Sequence, residues 1–233
     1  MQRVRVIGIS LLVGLISEAR GSTSQKLQSI LIPSMEVVEA PIEDVAKFLQ
    51  SKSAELDVSG IGVNIIIDAS PETLEKTATL QLRQVTLGRA IWFLAEVAGL
   101  DLKVDRHAVM LVERTGKSKQ RGQPESAPEL VLKLRTIQIP SIEFQETPFD
   151  DALQFLRNLA IKNDPEPNAE KKGINIVKIP QQGVEDRSVT MRLSGVPLGE
   201  AIKYTCGLAN YSVTIQKGAV VVYPTPVPRT GDQ

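Results

Sequence analysis

The sequence predicts an α+β fold made of two tandem repeats, in which helices pack on small mixed sheets. The first observation behind this prediction is an internal duplication, because the segment that begins at Lys26 returns at Lys133. Twelve of the 25 aligned pairs that end at Gln50 and Arg157 are identical. The second observation is that segments with helical periodicity alternate with short apolar runs typical of strands.

The two repeats are expected to cover residues 26–112 and 130–223 and to fold as separate units. The offset between them is 107 residues at first and 111 later, because the second repeat has four additional residues in the polar stretch 162–172. Beyond that stretch, Val63-Asn64-Ile65 matches Ile174-Asn175-Ile176. Each repeat is expected to follow the order strand, helix, strand, strand, helix, strand, strand.

The first repeat begins with an extended segment and continues with an amphipathic helix. Ile42, Val45, Ala46 and Leu49 recur at helical spacing, and Pro41 is expected at the first position of that helix. The strands of this repeat are expected at 30–38, 63–67, 79–82, 100–104 and 108–112, with a second helix from Leu87.

The second repeat has the same pattern. Thr147-Pro148-Phe149-Asp150 predicts the start of its first helix, with Thr as the N-cap, Pro at the first position and an acidic residue at the third. A second helix is expected from Leu198, and a closing hairpin is expected at 211–215 and 219–223.

Two-residue turns at Arg106-His107 and Lys217-Gly218 set the register of both closing hairpins. This register pairs apolar residues that are expected to face the core: Leu102 with Leu111, Val104 with Val109, Val213 with Val222, and Ile215 with Val220. His107 aligns with Gly218, which suggests a turn position with positive φ.

The opposite face of the last strand of each hairpin is also apolar. Met110 and Val112 point to that face in the first repeat, and Val221 and Tyr223 point to it in the second. We interpret these four residues as candidates for protein interaction, with the other repeat, a second molecule or an added strand as partner. The alternative is that segments of the same repeat cover them.

Segments outside the repeats are expected to be a signal peptide, a linker and a tail. Residues 1–21 place Arg3 and Arg5 before a short apolar run and then small residues, which is the order of a secretory signal. We therefore expect an exported protein, periplasmic or extracellular, with no membrane span in the mature chain. Residues 113–129 are expected to form a flexible linker, and 224–233 a disordered tail.

Composition and spacing argue against an enzyme and against a bound cofactor or metal. One Cys and one His exclude multi-cysteine metal centres and most zinc-enzyme arrangements. The acidic pairs Glu43-Asp44 and Asp150-Asp151 are expected in first turns of helices, where they complement the helix dipole. Cys206 aligns with Ala95 and is expected to be a small buried residue. Balanced charge, 27 basic against 27 acidic residues, predicts no nucleic-acid partner.

Trp92 is a further candidate for protein interaction. It aligns with Lys203 of the second repeat, so this helical position accepts a charged side chain. Trp92 is therefore either a residue at the edge of the core or an exposed aromatic anchor of the kind that interfaces favour.

The phrases before the second helix of each repeat, Val85 to Ile91 (VTLGRAI) and Val196 to Ile202 (VPLGEAI), resemble the short N-terminal domain of secretins and TonB-dependent receptors. The resemblance covers both repeats. It implies two βαβ-like halves that pack together and protein–protein contact in the periplasm. It does not imply secretion or transport by this chain itself.

We therefore expect a non-enzymatic, exported adaptor or assembly component of the cell envelope. Its expected partners are envelope proteins (a secretin, a receptor or a related assembly) or further copies of itself. One alternative is a periplasmic enzyme of unknown reaction, although the sequence places no base beside a nucleophile. Another alternative is a cell-wall or nucleic-acid binder that uses the basic residues of 113–129.

Overall fold

The computed structural model describes residues 22–114, 127–180 and 186–225. In these ranges it contains seven α-helices and ten strands in small sheets, so the α+β class is confirmed. The predicted signal peptide, the centre of the predicted linker and most of the predicted tail lie outside the described residues. No helix within the described ranges is long and apolar enough to cross a membrane.

Four helices and five strands form the first repeat. In chain order they are α1 (Thr23–Ser29), β1 (Leu31–Pro41), α2 (Ile42–Leu56), β2 (Asn64–Asp68), α3 (Pro71–Leu74), β3 (Thr77–Thr86), α4 (Leu87–Ala98), β4 (Leu100–Val104) and β5 (Ala108–Glu113).

The second repeat has a closely similar set of elements. In chain order they are α5 (Pro128–Thr136), β6 (Gln138–Thr147), α6 (Phe149–Asn163), a 3-10 turn (Ala169–Lys171), β7 (Ile176–Lys178), β8 (Val189–Pro197), α7 (Leu198–Leu208), β9 (Tyr211–Gln216) and β10 (Ala219–Pro224).

Both repeats pair their strands in the same way. Each has a two-stranded antiparallel ribbon, β1–β3 or β6–β8, and a mixed sheet in the order β2–β5–β4 or β7–β10–β9. The outer strands β2 and β7 run parallel to the central strand of their sheet. Each ribbon also has an irregularity at the same place, where Glu39 and Glu146 have φ values of 48° and 47°.

Two predicted helix starts are wrong by one residue. Pro41 and Pro148 are N-caps rather than first helical residues, since their ψ values of 138° and 140° are extended. Thr147 is the last residue of β6 and not a cap. The acidic pairs that follow do lie in the first helical turns, as expected.

The predicted linker and tail are too long. Glu113 belongs to β5 and accepts hydrogen bonds from the backbone and hydroxyl of Ser70. Arg114 donates to the Glu96 carboxylate at 2.9 Å, and α5 already begins at Pro128. Pro224 likewise belongs to β10.

The predicted hairpin registers are confirmed, including the pairing of Val104 with Val109 and of Val213 with Val222. The expectation that all of these residues are core is wrong for Val104 and Val213, which are 46% and 37% exposed. His107 is also not among the residues with positive φ in the described part of the chain, unlike Gly218 with φ of 91°.

Candidate interaction surfaces

The sheet of the second repeat has two apolar faces, and they are buried against different partners. Its inner face, Ile176, Val220 and Val222, joins the core of the second repeat. Its outer face joins the core of the first repeat and consists of Val177, Ala219, Val221 and Tyr223. Strand β10 is therefore buried on both sides, which explains its continuous apolar sequence. Two of the predicted interaction residues, Val221 and Tyr223, thus lie in a contact between the repeats.

The cluster that contains the outer face of the second sheet also contains residues of β3, at the edge of the first-repeat ribbon, and of α4 beside it. We call this surface the β3–α4 flank, and it consists of Leu80, Leu82, Val85, Phe93 and Val97. All five residues are buried. The two repeats therefore share one apolar cluster in addition to the separate core of the second repeat.

A side-chain amide connects the repeats at the same contact. Asn175 accepts a hydrogen bond from the backbone N–H of Arg83 at 2.8 Å and donates to the carbonyl oxygen of Arg83 at 2.9 Å. It also donates to the carbonyl of Gly218 at 2.8 Å. Asn175 therefore takes the place of a neighbouring strand along β3 and pairs the part-buried backbone groups of Arg83 and Gly218.

The corresponding outer face of the first-repeat sheet is open in the described structure. We call it the first-sheet face, and it consists of Ile66, Met110 and Val112. Ile66 is 47% exposed, and the other two side chains are half-buried. The remaining predicted interaction residues on strands, Met110 and Val112, thus belong to a surface that the described residues leave accessible.

Trp92 lines an open groove of about 650 Å³ between α1, α4 and β4. The side chain is half-buried against the first core, and the Arg89 guanidinium lies 5.4 Å from its ring centroid. Val104 lines the same groove, which accounts for its exposure. The second repeat has a groove at equivalent positions, where Lys203 stands in the place of Trp92.

Sequence analysis missed a buried ion pair that occurs once in each repeat, which we call the Lys–Asp clasp. Lys26 binds Asp57 at 2.6 Å, and Lys133 binds Asp164 at 2.8 Å. Burial opposes ionisation of Asp57 and Asp164, but hydrogen bonds from the lysines and from backbone amides outweigh it. The pKa of both carboxyls therefore lies below its usual range. The detectable signal was that all four residues align at the offset of 107.

Several ionisable side chains of the described residues form ion pairs within the fold, among them Lys26–Asp57, Arg114–Glu96 and Lys133–Asp164. In these ranges no group of three or more His, Cys, Asp or Glu side chains could hold a metal ion. Burial raises the pKa of the Cys206 thiol to about 12, so the thiol stays protonated near neutral pH. Comparison of the chain with models of protein families, with curated proteins and with solved structures found no match.

Proposed function

We propose that this protein is a non-enzymatic interaction module of the cell envelope, which acts as an adaptor or assembly component through the first-sheet face. The observation that carries the proposal is the difference between the two sheets. The same apolar face that the second repeat buries against its neighbour is left accessible on Ile66, Met110 and Val112. Apolar faces of this kind are typical of protein-binding surfaces.

Two features of the sequence support the envelope as the place of action. Residues 1–21 have the charged, apolar and small-residue order of a secretory signal. The resemblance of both repeats to the N-terminal domain of secretins and TonB-dependent receptors supports a protein partner in the periplasm. A secretin, a receptor or a related assembly is the class of partner that this resemblance suggests.

The state of the buried polar groups supports a non-enzymatic role. Lys26 and Lys133 are held in the two Lys–Asp clasps, and Arg157 donates to the carbonyl of Ile176 at 2.7 Å. Burial raises the pKa of Glu96, and Arg114 lies against its carboxylate. Each of these groups therefore has a structural partner.

Site-specific photo-crosslinking in the native host tests the proposal. A photoreactive amino acid at Ile66 should give a discrete crosslinked protein species, because this side chain lies in the proposed contact. The matched control is the same amino acid at Val58, which is fully exposed outside this surface. Equal crosslinking at both positions, or none at Ile66, would contradict the proposal.

A further inference from the structure

The contact between the repeats joins two unlike surfaces, and each of them has an equivalent elsewhere in the chain. The outer face of the second sheet and the β3–α4 flank of the first repeat belong to one buried apolar cluster. The first-sheet face is the equivalent of this outer face. The equivalent of the β3–α4 flank lies on β8 and α7, at positions displaced by 111 residues.

We call this last surface the β8–α7 flank, and it consists of Met191, Leu193, Val196, Tyr204 and Leu208. It is apolar like the β3–α4 flank, but it is not covered to the same degree. Phe93 and Val97 are 0% and 8% exposed, whereas their equivalents Tyr204 and Leu208 are 47% and 48% exposed. The other three residues of the β8–α7 flank are half-buried, while their equivalents are buried.

The Asn175 amide that connects the repeats has an equivalent in Asn64, which makes fewer hydrogen bonds. Asn64 aligns with Asn175 and donates to the carbonyl of His107 at 3.2 Å, as Asn175 does to Gly218. Asn64 is exposed. The pairing of Ser194 with Ser141 in the second ribbon corresponds to the pairing of Arg83 with Ser34 in the first. The backbone of Ser194 therefore presents polar groups to the side that Asn64 would approach.

We propose that the protein associates head to tail with further copies of itself. In this association the first-sheet face of one molecule contacts the β8–α7 flank of the next, and Asn64 bonds to the backbone of Ser194. The inference rests on the proposed function and names its partner as a second copy of this chain. The contact is heterologous, so each added molecule again presents one free surface of each kind, and the assembly grows or closes into a ring.

We favour a second copy of the chain as the partner because equivalent surfaces of the two repeats already contact each other within one molecule. Ile66 of the first-sheet face and Tyr204 and Leu208 of the β8–α7 flank are exposed. The remaining residues of both surfaces are half-buried, and those on β8 pack in part against the core of the second repeat. Exposed apolar patches are typical of surfaces that contact another protein.

The contact between molecules is expected to be weaker than the contact between repeats. The 3-10 turn Ala169–Lys171 adjoins the connected surfaces, and Arg83 donates to the carbonyl of Ala169 at 3.5 Å. The second repeat has four additional residues in this region, so the loop between α2 and β2 is shorter. The intermolecular contact therefore lacks an equivalent of the 3-10 turn and of its hydrogen bond from Arg83. We expect association between molecules to depend on concentration.

A mixing experiment with two variants tests this inference. The full chain is expected to form larger species with increasing concentration in sedimentation velocity. Ile66→Lys removes one surface, Leu208→Lys removes the other, and each should weaken self-association by at least about tenfold. Because each variant keeps the surface that the other lacks, an equimolar mixture should form a 1:1 dimer that cannot extend.

Val58→Lys and Leu132→Lys are the matched controls, since both replace exposed apolar residues outside the two surfaces. They should associate like the unchanged chain. Asn64→Ala is a second probe that adds no charge to the sheet, and it should also weaken association. Circular dichroism and thermal melts establish that each variant is folded.

Two results would overturn the inference. The first is a full chain that stays monomeric up to roughly 1 mM. The second is a mixture of the two folded variants that forms no dimer. The crosslink at Ile66 separates this failure from failure of the proposed function. A crosslink to a different protein would leave the proposed function standing without self-association, and absence of any crosslink would remove both.

Discussion

The outer faces of the two three-stranded sheets show how the same local pattern leads to different environments. Val221 is completely buried, whereas Met110 at the equivalent position is half-buried. Both residues lie on the central strand of their sheet and point away from the core of their own repeat. The difference arises because the second sheet has the first repeat packed against it, whereas no described segment covers the first sheet to that degree.

We expect the largest change in the free energy of unfolding when a charge is placed at Val221, and the equivalent change at Met110 is the comparison. Val221→Lys places a charge in the contact between repeats and should lower the free energy of unfolding by roughly 3–5 kcal/mol. Met110→Lys should lower it by less than about 1 kcal/mol, because its side chain reaches solvent. Urea denaturation measures both changes. Similar losses for the two variants would mean that both faces are core.

Asp164→Asn tests whether the repeats depend on the Lys–Asp clasp. The change leaves Lys133 without its charged partner and should lower the free energy of unfolding by about 2–3 kcal/mol. Asp57→Asn is the matched variant in the first repeat. Adding Lys133→Met to Asp164→Asn should recover part of the loss, since no unpaired charge then remains buried. No recovery in the double variant would argue against an ion pair as the cause.

Asn175→Ala and Asn64→Ala compare the connected and unconnected amides. Asn175 makes three hydrogen bonds that involve Arg83 and Gly218, so its loss should lower the free energy of unfolding by about 1–2 kcal/mol. Asn64→Ala should change it by less than about 0.5 kcal/mol in dilute protein. Chemical denaturation at low protein concentration distinguishes these outcomes, and an equal cost at both positions would contradict the comparison.

We expect the smallest change in the free energy of unfolding when the pH is lowered, and both repeats should contribute to it. Folding lowers the pKa of Asp57 and Asp164 below their unfolded values of about 3.9, so their stabilisation is present above that pH. It is lost as pH falls towards the folded pKa, so the free energy of unfolding should decrease between pH 4 and pH 3. Denaturation at both pH values measures the loss. The loss should become smaller in Asp57→Asn and Asp164→Asn, and an unchanged pH dependence would exclude these carboxyls as its source.

Much of each repeat could be predicted because the signals are local. The helix start at Leu87, the second helix from Leu198 and both hairpin registers follow from spacing over a few residues. The short helices α1 and α5 were missed, since they precede the first strand and have few residues with which to show a period.

The candidate surfaces were partly predictable for the same reason. Alternation along β5 and β10 placed Met110 and Val221 on the outer face of their sheets without any tertiary information. The Lys–Asp clasps were not anticipated, because their partners lie 31 residues apart and meet only after the helix and the following loop have folded. The connection from Asn175 to Arg83 spans 92 residues, and its sequence signal was limited to the recurrence of Asn.

The sequence by itself determined the α+β class, the duplicated pattern and the face on which each strand residue lies, because these properties depend on the period of the backbone. Only the tertiary structure decided which apolar faces are covered, because burial depends on what packs against a face and not on the strand that carries it. Val221 and Met110 have the same place in the pattern, and the presence of the first repeat against Val221 made one of them core.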